Sequence, residues 1–189
     1  MKQVYDGYAH NDPRVKIDYT DVANKDRWTK TWVAVVTNKA LFQLCEGEPY
    51  VTWTADDVCV HPKKLEILVK FLENHPNESM VAGQLQMYDR KGKVLNTLGG
   101  KTYKSASCML DWVQPMMRRM LIDKVGRLQE YPFTVLLDAR YWTSIARLGV
   151  HACGIPLVLD KMPSYTKQTC KIPAKRAKGL AWRDHGVMP

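Results

Sequence analysis

Between residues 50 and 76 the chain changes its periodicity within a few residues, and this stretch constrains the fold most. Residues 50–54 (YVTWT) are β-branched and aromatic, the composition of a buried central strand. Asp56-Asp57 follow at once, and His61-Pro62 opens a helix with proline in its first turn. Leu65, Leu68, Val69 and Leu72 then recur at i, i+3, i+4, i+7, and Asn74-His75-Pro76 stops the helix. A strand handing over to an amphipathic helix in this way predicts an α/β domain with a mostly parallel sheet.

The flanking sequence extends that pattern. Residues 2–5 and 15–19 read as short strands, and residues 28–44 as an apolar-rich helix closed by Glu46-Gly47. Residues 81–88 and 93–98, joined by Asp89-Arg90-Lys91-Gly92, read as a β-hairpin. Helices are expected over 115–124, ending at Gly126, and over 138–148, capped by Gly149, with a late strand at 155–159. No repeat or low-complexity linker divides the chain, so 1–170 reads as one domain and 171–189 as a basic tail.

Composition narrows the class less. The 189 residues, 46% of them hydrophobic, suffice for a real core. A formal charge of +9 favours anionic partners: nucleotide diphosphates, acidic glycans, lipid phosphates or nucleic acid. A solvated basic tail explains the same number equally well, so charge alone selects nothing. No apolar run reaches the length of a membrane span, and the first twenty residues are polar, which argues against a signal peptide. Five scattered cysteines without a CxxC pair suit a reduced cytoplasmic setting and argue against a zinc site.

In open α/β sheets ligands bind beyond the carboxyl ends of strands, where Asp56 and Asp57 are expected. Adjacent carboxylates repel unless a cation or hydrogen-bond donors neutralise them. Mg²⁺ or Mn²⁺ would do so while keeping positions open for a substrate diphosphate. The alternative is a plain Asx-type bend leading into the helix, and spacing alone leans that way.

The longer run NKALFQLCEGEPYVTWTADDVCVHPKKLEILVKFLENHP resembles the core signature of family 2 glycosyltransferases. The features that carry the resemblance are Asn38-Lys39-Ala40-Leu41, Gly47-Glu48, the strand at 50–54, Asp56-Asp57 as a DxD-like motif, and Pro62-Lys63-Lys64-Leu65. Thr54 stands where the commoner motif has its first acid; the spore-coat polysaccharide branch also carries Thr there, with two adjacent acids following. Arg118-Arg119 with Gly126, Asp138 opening DARYWTSIARLG, and Ile155-Pro156 continue the match.

The resemblance implies a GT-A fold, a three-layer α/β/α domain shortened at its N-terminus. Val4-Tyr5-Asp6-Gly7-Tyr8 looks like the turn that closes the family's first strand–helix–strand, here almost at Met1. The first strand and helix are then missing, and the chain is either truncated, completed by a partner chain, or reduced in activity. By the same match Asp56 and Asp57 hold the metal and donor diphosphate, Asp6 and Arg27 contact the nucleotide, and Asp138 is the catalytic base. Arg118, Arg119 and Arg140 are candidates to brace phosphate or acceptor. Trp112 and Trp142 are candidates to stack on a sugar, and His185 to approach the metal, although core and tail roles are the more usual ones.

The implied activity is a metal-dependent, inverting transfer from a nucleoside-diphosphate sugar of UDP, GDP or dTDP type to a glycan or glycolipid. It would be cytoplasmic, with peripheral membrane contact for a lipid-borne acceptor. The rival is a non-catalytic remnant or binding module whose basic surface meets nucleic acid or anionic glycan. No recognised nucleic-acid motif supports that rival, so no specific nucleic-acid partner is expected.

Overall fold

A computed structural model describes residues 6–7, 10–26, 29–102, 110–131 and 137–163. The expected strand at 2–5, Arg27, His185 and the tail at 171–189 lie outside them. The chain divides into two compact units, Met1–Glu46 with Leu128–Phe133, and Gly47–Arg127 with Thr134–Pro189.

In the first unit, helix α1 (Trp32–Lys39) runs on into a wider π turn, Ala40–Leu44. Asn38 is buried on α1. Its side chain donates to the Leu128 carbonyl (2.9 Å) and Glu130 Oε1 (3.0 Å) and accepts from the Leu128 N–H (2.8 Å). An amide side chain carries both a donor and an acceptor, so it can pair with a backbone residue as a strand would. Asn38 of the expected signature is therefore a structural clamp. The strand expected at 15–19 does not form. Val15 and Tyr19 are exposed, Lys16 Nζ donates to the Leu44 carbonyl, and Asp18 pairs with Lys39 at 2.7 Å. Side chains rather than a backbone ladder hold this segment.

The second unit is built on a sheet of β1 (Tyr50–Thr52), β2 (Cys59–Val60), β3 (Met80–Tyr88), β4 (Val94–Leu98), β5 (Pro115–Arg118) and β6 (Cys153–Pro163). The order is β1-β5-β3-β6-β2, with β4 on the far half of β3. Only β3 and β6 pair in parallel; the other four ladders among the described residues are antiparallel. The expectation of a mostly parallel sheet is therefore wrong. The strand at 50–54 also lies at one end of the order rather than in its centre. The expected helix at 115–124 is a strand for its first four residues, β5, and helix α3 (Arg119–Val125) only afterwards. Pro115, Met116 and Met117 are buried, and apolar residues buried without alternation suit a strand between two neighbours.

The hairpin β3–β4 and the strand β6 form where the sequence placed them, β6 reaching further at both ends. Helix α2 (Lys64–Asn74) does too, but its buried face is rotated. Lys64, Leu68 and Leu72 are buried while Leu65 is 57% exposed. Leu68 and Leu72 join Val81, Met116, Cys153 and Leu159 in the core. Among these, burial pushes the Cys153 thiol up to about 12, helped by the neighbouring Glu78, so it behaves as an inert apolar side chain. No helix among the described residues is long and apolar enough to cross a membrane.

Candidate active site

Antiparallel pairing decides which loops meet. Thr52, the last residue of β1, is opposite Met116 near the start of β5, and its hydroxyl donates to the Pro115 carbonyl at 2.8 Å. The loop after β1 and the loop before β5 therefore leave the same end of the sheet. The first carries Asp56-Asp57 and the second carries Asp111.

Asp56 and Asp57 occupy the middle of a tight turn in which Val58 N–H donates to the Ala55 carbonyl at 3.2 Å. The bend reading of this pair thus holds locally, as expected of Asp in turns. The two are not equivalent. Asp56 is exposed, whereas Asp57 is half-buried and its charge reaches Asp111.

The turn at Asp111 is held on three sides. Asp111 Oδ1 accepts from the Val113 N–H (3.2 Å), and its own N–H donates to Gln114 Oε1 (2.8 Å). Gln114, fully buried, donates from Nε2 to the carbonyls of Gly83 (2.8 Å) and Leu98 (3.2 Å), bridging the gap on β3 between the β5 and β4 ladders. A Cβ at Gly99 would come within 2.7 Å of that Nε2, so a side chain there would push Gln114 out. On the other side, Lys64 Nζ donates to the Val113 carbonyl (2.7 Å) and to Asp160 Oδ1 (2.8 Å). Lys64 and Asp160 are both buried, and Asp160 Oδ2 has no hydrogen-bond partner among the described residues.

Burial pushes the Asp111 carboxyl above the usual carboxylate range; the Val113 N–H opposes the rise, and the charges of Asp138 and Asp57 add to it. Asp160 is pushed up likewise by burial, against the pull of Lys64 and with the addition of Asp111. Asp111 is thus the acid that the charges of Asp57 and Asp138 reach, and its own charge reaches Asp160. Asp138 stands in the first turn of helix α4 (Leu137–Arg147), half-buried, where its Oδ1 accepts the Ala139 N–H at 2.8 Å. That contact, to the next residue within the helix's first turn, is local and is not an N-cap. It leaves the second oxygen for other work.

Aromatic side chains adjoin the acids in sequence. Trp53 and Trp112 lie with centroids 4.5 Å apart, and Tyr141 and Trp142 complete the cluster. Trp142 is buried and donates from Nε1 to the Leu110 carbonyl at 3.2 Å, so it packs the core and does not stack on a ligand. Trp53 and Trp112 remain half-exposed.

Other sequence candidates fall elsewhere. Asp6 belongs to the first unit and accepts the Tyr19 hydroxyl at 2.9 Å. The Arg118 guanidinium caps helix α2, donating from Nε to Glu78 O (2.8 Å) and from its terminal nitrogens to the carbonyls of Leu72 and His75. A guanidinium committed to three backbone carbonyls is not available to brace a phosphate. Arg119 pairs with Asp123 one helical turn on, at 2.9 Å.

Sequence reading missed Asp111, Lys64 and Asp160. The available signal was an acid embedded in apolar runs, Met109-Leu110-Asp111-Trp112-Val113 and Leu157-Val158-Leu159-Asp160. Such acids are buried and partnered more often than solvated.

Among the described residues, no three His, Cys, Asp or Glu side chains converge as an all-protein ion cage. The two carboxylates of the Asp56-Asp57 turn do match the donor set of a small divalent ion shared with a substrate diphosphate.

No family model matches the chain. Among solved structures it is similar to S. aureus TarS 1–349, at 16% identity with a TM-score of 0.49. The match covers 67% of this chain and 38% of that one, so the chain spans well under half of that chain's length.

Proposed function

We propose that the second unit carries the transfer centre of a glycosyltransferase, moving a sugar from a nucleoside-diphosphate donor to a glycan or glycolipid hydroxyl. The observation that carries this reading is the meeting of the Asp56-Asp57 loop and the Asp111 loop at one end of the sheet, where the charge of Asp138 also reaches Asp111. The family 2 resemblance of residues 38–65 and 118–156 supports it independently.

In this reading Asp57, with Asp56 beside it, would hold Mg²⁺ or Mn²⁺, and the ion would supply charge neutralisation for the leaving diphosphate. The acceptor oxygen attacks the anomeric carbon as the bond to the diphosphate breaks, with inversion. A carboxylate on the attacking side takes the hydroxyl proton. Asp138 is the base that the resemblance implies. Asp111 is the second candidate, because a carboxyl whose proton affinity is raised by burial and like charge is the better proton acceptor. The half-exposed faces of Trp53 and Trp112 suit a sugar ring.

Calorimetry with UDP, GDP and dTDP, with and without Mn²⁺, tests the reading. One nucleotide should bind in a metal-dependent way, and Asp57→Ala should abolish that binding. If none binds, the reading falls; salt-sensitive binding to random DNA in its place would favour the basic binding module. Asp138→Asn and Asp111→Asn then identify the base, which is the one whose loss stops transfer while donor binding persists.

A further inference from the structure

We propose that Lys64 is a positioning residue for Asp111, acting through the two hydrogen-bonding groups of Val113. Lys64 Nζ holds the Val113 carbonyl at 2.7 Å, and the Val113 N–H in turn holds Asp111 Oδ1 at 3.2 Å. The second Lys64 bond, to Asp160 Oδ1, ties the same ammonium to β6, which pairs in parallel with β3, the strand whose Gly83 carbonyl anchors Gln114. Asp111 is thus fixed from one side through Gln114 and from the other through Lys64.

Stability does not explain this arrangement. Lys64 and Asp160 are withdrawn from water, and one oxygen of Asp160 has no hydrogen-bond partner among the described residues. Two apolar side chains of similar volume fill such a site at equal or better stability in well-studied cases. What an apolar pair lacks is direction: a methionine at 64 offers nothing to the Val113 carbonyl, and the turn bearing Asp111 loses one of its two anchors.

The test is the double variant Lys64→Met/Asp160→Leu in the full chain, which removes the ammonium without stranding a buried carboxylate. With aspartate carboxyls labelled with ¹³C, the Asp111 signal should be displaced while those of Asp89 and Asp123 stay in place, and the urea midpoint should not fall. Where the proposed sugar transfer is assayed, on which the kinetic arm rests, kcat should drop by about tenfold or more with the donor KM within about twofold, the pattern of a misplaced reacting group. An unmoved Asp111 signal with unchanged kcat overturns the proposal and leaves the pair a structural brace. A displaced signal in a protein whose wild type turns over no donor upholds the positioning role and removes the transferase reading instead.

Discussion

The Asp56-Asp57 turn and the Asp111 turn leave the same end of the sheet, yet they are built in opposite ways. The first is a short bend between two strands, with Asp56 in solvent and one backbone hydrogen bond closing it. The second is anchored by two buried side chains, Gln114 of the turn itself and Lys64 of helix α2, and its acid is half-buried. An exposed bend suits a group that must meet a solvated ion and diphosphate. A braced, half-buried carboxyl suits a group that must take a proton from one direction. The contrast teaches that acids close together in space need not share a task.

The largest expected effect strikes the anchor of the buried turn. Lys64→Met alone should cost about 3–5 kcal/mol of unfolding free energy in a urea titration, because Asp160 is left buried without its cation. Adding Asp160→Leu should recover that loss, returning the urea midpoint to the wild-type value or above. A single variant as stable as wild type would mean that the buried turn is no better braced than the exposed one.

Next in size is the division of labour. The Asn variant of whichever of Asp138 and Asp111 is the base should lower sugar transfer by about a hundredfold or more with donor binding intact, whereas Asp57→Ala should act on metal-dependent donor binding. If both changes reduce donor binding alike, the two turns serve one substrate and the contrast fails.

A smaller effect sharpens it further. The Asp111 carboxyl is raised in the folded state, so its contribution to stability is fully present below the ordinary carboxylate value. That contribution is lost as pH rises through the raised one. Asn mimics the protonated form, so Asp111→Asn should be more stable than wild type at neutral pH, on the order of 1 kcal/mol, and the gain should vanish on acidification below about pH 4. Urea midpoints at pH 4 and pH 7 check this; a variant less stable than wild type at pH 7 contradicts it. Asp56→Asn, on the exposed bend, should move the midpoint by no more than about 0.5 kcal/mol at either pH.

How much of this was legible follows from the range of each interaction. Helix α2, the hairpin β3–β4, the end of α3 at Gly126 and the core of β6 were readable because periodicity, turn residues and capping are local. Residues 115–118 misled because PMMR carries no period, and burial between two strands is a tertiary fact. Leu65 misled because a 3.6-residue stripe can be drawn one position off when a buried lysine interrupts it. Asp57 and Asp138 were visible as acids at element boundaries, where charge is expected and noticed. Asp111 and Asp160 were passed over because they sit inside apolar runs.

The amino-acid sequence by itself determined helices α2 and α4, the hairpin β3–β4 and the core of β6, though neither β2 nor β5, and the two carboxylates at strand and helix boundaries. These depend on contacts within a few residues. The tertiary structure alone decided that the strands run mostly antiparallel, and hence that the loop of Asp111 opens beside that of Asp57. It alone turned Lys64 inward to meet Asp160 across ninety-six positions of chain. Such pairings are fixed by strand register and by the cost of burying an unpaired charge, and neither is written in local spacing.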